Sequence, residues 1–347
     1  MIAASTTTGQ IRQTFSRPHW QQALADAISN PAELCDILGL DPGLLPGAAA
    51  AAEGFALRVP RGFVARMRHG DPRDPLLLQV LPRDAENRPV PGFSLDPVGD
   101  MASRAGAGVL HKYRGRALLI ATGACAVHCR YCFRRHFPYG EESALSAGWQ
   151  SAIESLQADP SISEVILSGG DPLSLSDRRL TQLTDALRTV PHVRRLRIHT
   201  RYPVVLPERV DAGLLHWLSH LPLQKVMVIH ANHANELNRD VGDACRAIAA
   251  CNVTLLNQSV LLAGINDSVE ALATLSETLF ACGVLPYYLH LLDRVQGAAH
   301  FEVDEPVALR LHAGLMRQLP GYLVPRLVRE VPGAPSKTPV TLEAGGC

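Results

Sequence analysis

From Gly115 onward, short runs rich in leucine and β-branched residues alternate with stretches whose apolar positions recur at helical spacing. That alternation is the pattern of βα units in a parallel sheet. It predicts strands over 117–122, 164–168, 193–200, 225–230, 253–260 and 285–292. It predicts helices over 147–157, 177–189, 211–220, 236–250, 268–281 and 305–319, several of them opening on Ser, Asp or Asn at a capping position. The strands recur about every 34 residues, the length of a βα repeat. Six such units over 106–320 make an α/β protein with an open, partial (β/α)6 parallel barrel. Before them, 1–105 reads as a helical and irregular extension. Apolar residues at helical spacing mark 20–28 and 32–38, and Asn30 before Pro31 forms an N-cap and first-turn pair. The stretch from Asp71 to Pro97 reads as an extended, docked connector without chemistry of its own. After the barrel comes a Pro- and Gly-rich segment, 321–347.

Composition narrows the class of molecule. The chain has 347 residues, enough for a barrel with appendages, and its 33 basic residues balance 33 acidic ones. A formal charge of zero gives no sequence-wide attraction to nucleic acid or to an anionic membrane, so partners are expected to be small or locally recognised. No apolar run is long enough for a transmembrane helix, and no charged segment followed by an apolar one opens the chain, so a cytoplasmic location is expected. Eight cysteines in a chain of this size do not form a disulfide scaffold.

Three of those cysteines stand together in Ala124-Cys125-Ala126-Val127-His128-Cys129-Arg130-Tyr131-Cys132-Phe133, on the loop after the first barrel strand. Three thiolates suit an iron–sulfur cluster better than zinc, because a closed structural zinc site wants a fourth ligand. A four-iron cluster held by three thiolates keeps one iron open to a small molecule. The spacing, with Tyr131 just before the third cysteine, resembles the radical S-adenosylmethionine (SAM) enzymes. Parallel barrels place chemistry on the loops after the strands, where this one lies. Cys35, Cys245, Cys251 and Cys282 have no metal spacing and read as packing residues.

Other strand-end loops should face the same site. After the second strand, Ser168-Gly169-Gly170-Asp171-Pro172-Leu173 resembles the glycine turn that radical SAM enzymes set against the SAM amino group. His199-Thr200-Arg201, His230-Ala231-Asn232-His233 and Asn257-Gln258-Ser259 supply polar groups to a cofactor pocket at the barrel mouth. In Glu330-Val331-Pro332-Gly333-Ala334-Pro335-Ser336-Lys337-Thr338-Pro339, prolines and a glycine hold one lysine on an irregular loop. An amine placed there could bond covalently to pyridoxal phosphate (PLP).

The cysteine triad, the Gly-Gly-Asp-Pro-Leu turn, Pro203-Val204-Val205-Leu206-Pro207, Asn257-Gln258-Ser259-Val260-Leu261-Leu262 and the Ser-Lys-Thr-Pro ending together resemble the lysine 2,3-aminomutase family, over about residues 70–340. The short chain and Pro335-Ser336-Lys337 are closer to the branch that makes (R)-β-lysine for modifying translation elongation factor P. The resemblance implies a 4Fe-4S cluster on Cys125, Cys129 and Cys132, together with SAM and PLP. Lys337 would carry PLP, with Tyr113 and Arg116 near its phosphate. Tyr131, Gly169, Gly170, Asp171, His230 and Gln258 would line the cofactors. Arg134 would meet the substrate carboxylate and Asp293 its side-chain ammonium, with Glu330 as a second ammonium partner where the free-lysine enzymes have Asp. The implied activity is an isomerase converting L-α-lysine to (R)-β-lysine by 1,2-amino migration, fed electrons by a protein such as flavodoxin or ferredoxin. An aminomutase of glutamate or arginine, a radical SAM enzyme without PLP and a zinc-binding module are the other readings. Formation of a homo-oligomer is left open.

Overall fold

The computed structural model describes residues 18–106, 108–139 and 149–341. The first two residues of the helix expected at 147–157, and Cys347, lie outside the described residues. Ten strands form one sheet in chain order. They are β1 (Arg104–Gly106), β2 (Val109–Tyr113), β3 (Arg116–Thr122), β4 (Glu164–Gly169), β5 (Arg195–Thr200), β6 (Gln224–Ile229), β7 (Val253–Val260), β8 (Leu285–His290), β9 (Arg326–Arg329) and β10 (Thr338–Pro339). From β3 to β9 every neighbouring pair is parallel. An antiparallel hairpin flanks each side, β1–β2 leading into β3 and β9–β10 closing the far edge.

The six expected βα units are all present, and a seventh parallel strand, β9, joins them from the C-terminal segment. Its four residues are too few to show a period, which is why the sequence pattern passes over it. The barrel helices are Gln150–Ala158, Asp177–Leu187, Ala212–His220, Arg239–Ala250, Val269–Ala281 and Glu305–Gln318. Side chains of Ser176, Asp211, Asn238 and Ser268 accept from backbone N–H groups of the first turns of four of them.

Alternation along the strands divides the barrel into two environments. On β5, Leu196 and Ile198 are buried against the helices, while Arg197 and His199 face the interior cavity. On β7, Leu255, Asn257 and Ser259 are buried, while Gln258 and Val260 line the cavity. Arg116 and Leu118 on β3, Ile166 and Ser168 on β4, and Tyr288 and His290 on β8 take the same parity. A period of two on parallel neighbours thus gathers polar side chains from distant segments onto one inner wall.

The extension is made of helices His19–Ala25, Pro31–Leu38, Leu45–Gly54 and Arg61–Val64. Asn30 caps the second as expected, accepting from Ala32 N at 2.9 Å. The alanine-rich third helix has little amphipathic pattern, so it escapes a reading based on periodicity. One hydrophobic cluster runs without a break from Trp20 and Phe63 through Leu119 and Leu167 to Val284, so extension and barrel share a core. Within 71–97, Leu76, Leu77 and Val80 are fully buried and Leu77–Gln79 forms a 3-10 turn.

Candidate active site

A cavity of about 390 Å3 opens among the strand ends, and every residue given a role by the family resemblance lines it. Cys125, Cys129 and Cys132 form part of its wall, with Gly169, Gly170 and Asp171 beside them. Lys337, Glu330, Asp293, Arg134, Tyr113, Arg116, His230 and Gln258 line the same space.

The cluster loop is held from behind by the segment that looks chemically blank in the sequence. Arg130, fully buried, donates from Nε and Nη2 to the two carboxylate oxygens of Glu86, at 2.9 and 2.6 Å, and from Nη1 to Phe55 O at 2.7 Å. Arg135 donates to the same carboxylate at 2.9 Å. The backbone joins in, with Arg130 N donating to Gln79 O and His128 N to Arg58 O, both at 2.9 Å. A carboxylate shared by two buried guanidiniums cannot be neutralised cheaply. Glu86→Gln should therefore lower unfolding free energy by about 3–5 kcal/mol, the usual cost of breaking a buried ion pair. Thermal melting and iron retention check this together, and an unchanged melting curve would remove the clamp from the account.

The three thiols fit a cluster. Burial pushes Cys132 up to about 11 and Cys125 well above its ordinary value, and the neighbouring cysteines add to both shifts. Thiols raised in this way lose that penalty when cationic iron binds them as thiolates. Among the described residues, no three Cys, His, Asp or Glu side chains converge tightly enough for a single metal ion. A cluster needs no such convergence, since each thiolate bonds a different iron.

The glycine turn is dictated by close approach. Gly169 has φ +121°, and a Cβ on Gly170 would lie 2.5 Å from Ala124 O. Gly170 N donates to Thr122 O at 2.7 Å and Asp171 N to Ala124 O at 2.8 Å, which zips the turn to the start of the cysteine loop. The Asp171 carboxylate accepts from Thr200 Oγ1 and Arg201 N at 2.7 and 2.6 Å, so it braces two strand ends; burial raises it to about 6. Four residues expected at the cavity, Asn232, His233, Asn257 and Ser259, do not line it. Asn257 takes the outward parity of β7 and pairs with both backbone groups of Ala231, and His233 caps the turn at Asn235. Tyr131 lines the cavity with its hydroxyl accepting from Asn232 Nδ2 at 2.7 Å.

Across the cavity, β9 and β10 form a hairpin whose loop carries Glu330 at one end and Lys337 at the other. Pairing of Arg329 with Thr338 brings them together, and Lys337 Nζ donates to Glu330 Oε2 at 2.9 Å. Tyr113 donates to the other Glu330 oxygen at 2.5 Å. Burial works to raise the Glu330 carboxyl, but Lys337 and Tyr113 more than offset it and hold it low. Tyr113, expected near the PLP phosphate, has its hydroxyl on Glu330 in this structure. Arg116 lies over the Tyr113 ring at 4.7 Å, and among the described residues Arg116 Nε, Arg197 Nε, His199 Nε2 and His290 Nε2 are buried without a hydrogen-bond partner. Orphaned donors of this kind beside an amine match an anionic, aromatic cofactor, so the residues fit PLP. His230 meets Gln258 at 2.6 Å, and burial lowers it to about 3, which keeps it neutral.

Two further acidic groups divide the remaining charge. Asp100, which the sequence reading missed, is buried and binds Arg134 Nε at 2.7 Å and Lys112 at 2.6 Å. Ser168 Oγ accepts from Arg134 Nη1 at 2.9 Å, so that guanidinium is fixed in orientation at the cavity wall. Only its position ahead of the β1–β2 hairpin could have flagged Asp100. Asp293 is different. Among the described residues its carboxylate has no hydrogen bond or ion pair, and burial raises it to about 7 against the pull of Lys337. A half-buried carboxylate with no cation of its own among the described residues leaves room for one brought by a ligand.

A family profile described as "4Fe-4S single cluster domain" matches residues 107–202. The chain is 48% identical over 332 residues to L-lysine 2,3-aminomutase of Escherichia coli (strain K12), covering 95% of this chain and 96% of that one. It is 47% identical to the Haemophilus influenzae protein of the same name, covering 92% and 95%. The protein of that name from Acetoanaerobium sticklandii is 32% identical, with 92% of this chain covering 78% of the relative. A solved radical SAM methyltransferase from Sphaerobacter thermophilus aligns with TM-score 0.47 and 15% identity, over 64% of this chain and 68% of that one. With its cluster-binding loop, its α/β barrel and relatives this similar along nearly their whole length, the chain belongs to the lysine 2,3-aminomutase family of radical SAM isomerases.

Proposed function

We propose that the protein converts L-α-lysine to (R)-β-lysine with PLP bound to Lys337. The observation that carries this is the half-buried Asp293 carboxylate, which among the described residues has no hydrogen bond or ion pair, in the same cavity as Lys337, Arg134 and the three cysteines. When bound, the cluster with SAM supplies a hydrogen-abstracting carbon radical, and PLP supplies the π-system across which nitrogen can migrate. The chain's own residues do the rest. Arg134, oriented by Asp100 and Ser168, offers a planar fork to an α-carboxylate. Asp293 receives the ε-ammonium, and Glu330 becomes its second partner once Lys337 is bonded elsewhere. The two ends of an extended lysine are thus fixed, so the α and β carbons between them are presented to the radical source in one register. Walls built from Leu118, Ile166, Val260 and Leu292 keep water from the reacting carbons.

The identity of 48% and 47% to the Escherichia coli and Haemophilus influenzae relatives, against 32% to the Acetoanaerobium sticklandii one, sets the chain nearer the first two, and with Pro335-Ser336-Lys337 it supports the branch that serves elongation factor P. A flavodoxin or ferredoxin would supply the electron. Anaerobic incubation with SAM, PLP and dithionite, offering lysine, glutamate and arginine in turn, tests the substrate. Lysine alone should yield a β-amino acid, and a glutamate product without a lysine product would overturn the reading.

Asp293 also sets a pH dependence. Because its carboxyl titrates near 7, the ammonium-binding anion forms only as pH rises through that value. Below it, kcat/KM for lysine should fall about tenfold per pH unit, since one proton blocks the site. Norleucine, which lacks the ammonium, should show no such limb. A lysine profile that stays flat from pH 8 to pH 6 would contradict the role of Asp293.

A further inference from the structure

We infer that Arg201 and Glu236 form an opposed charge pair that sets the reduction potential of the cluster through Cys129. Arg201 follows β5 and is buried to 6% exposure, and its Nη1 donates to Cys129 Sγ at 2.7 Å. The other end of the guanidinium is pinned, with Nη2 donating to Gln79 Oε1 at 2.6 Å and to Glu236 Oε2 at 2.8 Å. Its backbone N–H is tied to Asp171, and the rings of Phe63 and Tyr131 each lie 5.7 Å from it. Glu236 has no exposed surface. Its Oε1 accepts from Gln79 Nε2, Asn232 N and His233 N, which leaves Oε2 to Arg201. Arg66 is the other cation near both groups, donating to the Glu236 backbone carbonyl.

The arrangement bears on one electron. In the couple between the oxidised 2+ cluster and the reduced 1+ cluster, a single electron arrives from a reductant such as dithionite and no bond is made or broken. Net charge and hydrogen bonds to the ligating sulfurs are the protein's main controls over that potential. A guanidinium against a ligand thiolate favours the extra negative charge, and burial leaves the interaction poorly screened. The Glu236 carboxylate one residue further out opposes it. The two effects have opposite signs, so their removal should move the potential in opposite directions. A merely structural network would not behave so.

The inference rests on the cluster at Cys125, Cys129 and Cys132 and on nothing about the amino-acid substrate. Its test is an electron paramagnetic resonance-monitored redox titration of the anaerobically reconstituted full chain, without SAM or PLP, alongside iron and sulfide analysis. Arg201→Gln should lower the reduced-to-oxidised ratio at a fixed potential about tenfold, a shift of ~59 mV for one electron. Glu236→Gln should raise that ratio by a similar factor, and Arg201→Lys, which keeps the charge, should stay near wild type. Should Arg201→Gln take up no iron, Glu236→Gln and Gln79→Glu carry the test, since they alter charge without touching the Cys129 contact. They must then raise and lower the potential respectively. Shifts of the same sign, or none, in iron-replete variants would overturn the inference. A wild-type chain that binds no cluster would instead sink the assignment of the cysteines.

Discussion

Lysine turnover by an Asp293→Asn variant should fall roughly 10²- to 10³-fold in kcat/KM. The carboxamide keeps the shape of the side chain but leaves the substrate ammonium with Glu330 as its one carboxylate partner in a site closed from water. Breaking one partner of such a pair costs about 3–5 kcal/mol. Norleucine has the same length and no ammonium, so its kcat/KM should change less than about threefold on the same substitution. The comparison separates the charge contact from any effect on the cofactors or the fold. Equal losses for both substrates would mean that Asp293 acts on something other than the ammonium. The structure makes the sharper outcome the expected one, because this carboxylate lines the cavity with no protein partner among the described residues.

Much of this site was legible in the sequence because its chemistry sits on strand ends, where spacing and turn residues give local signals. Cys125, Cys129 and Cys132 lie within eight positions of one another. Gly169 and Gly170 are required by a backbone contact that an added Cβ would break. His199 and Gln258 stood out as polar residues at strand ends. What escaped has no local pattern. Glu86 and Gln79 come from an irregular segment, and their partners Arg130 and Arg201 are 44 and 122 residues away. Charge pairs over such separations are fixed by tertiary packing alone. Asn257 failed in the other direction. It lies beside Gln258, and alternation sends neighbours to opposite faces, so only one of the two could belong to the pocket.

Lys337→Ala should abolish isomerisation of lysine while leaving iron, sulfide and the cluster spectrum unchanged. Lys337 lies on the hairpin loop between β9 and β10, and among the described residues its side chain has no hydrogen bond to the cysteine loop. Incubation of wild type with PLP should give a visible absorption band that borohydride fixes covalently to this residue, detected by peptide mass. The variant should show neither the band nor the adduct. Full isomerase activity in Lys337→Ala would remove PLP attachment through this lysine. Loss of the cluster together with the band would show that the two halves of the cavity are not independent.

The central claim is that one nitrogen moves between adjacent carbons of one lysine molecule. Anaerobic incubation with L-lysine carrying 15N on the α-amino group, together with SAM, PLP and dithionite, tests it directly. Chiral chromatography and mass spectrometry of the product should find (R)-β-lysine with the label retained at C3. Absence of β-lysine from an iron-replete enzyme, or β-lysine whose C3 nitrogen has lost the label, would contradict it.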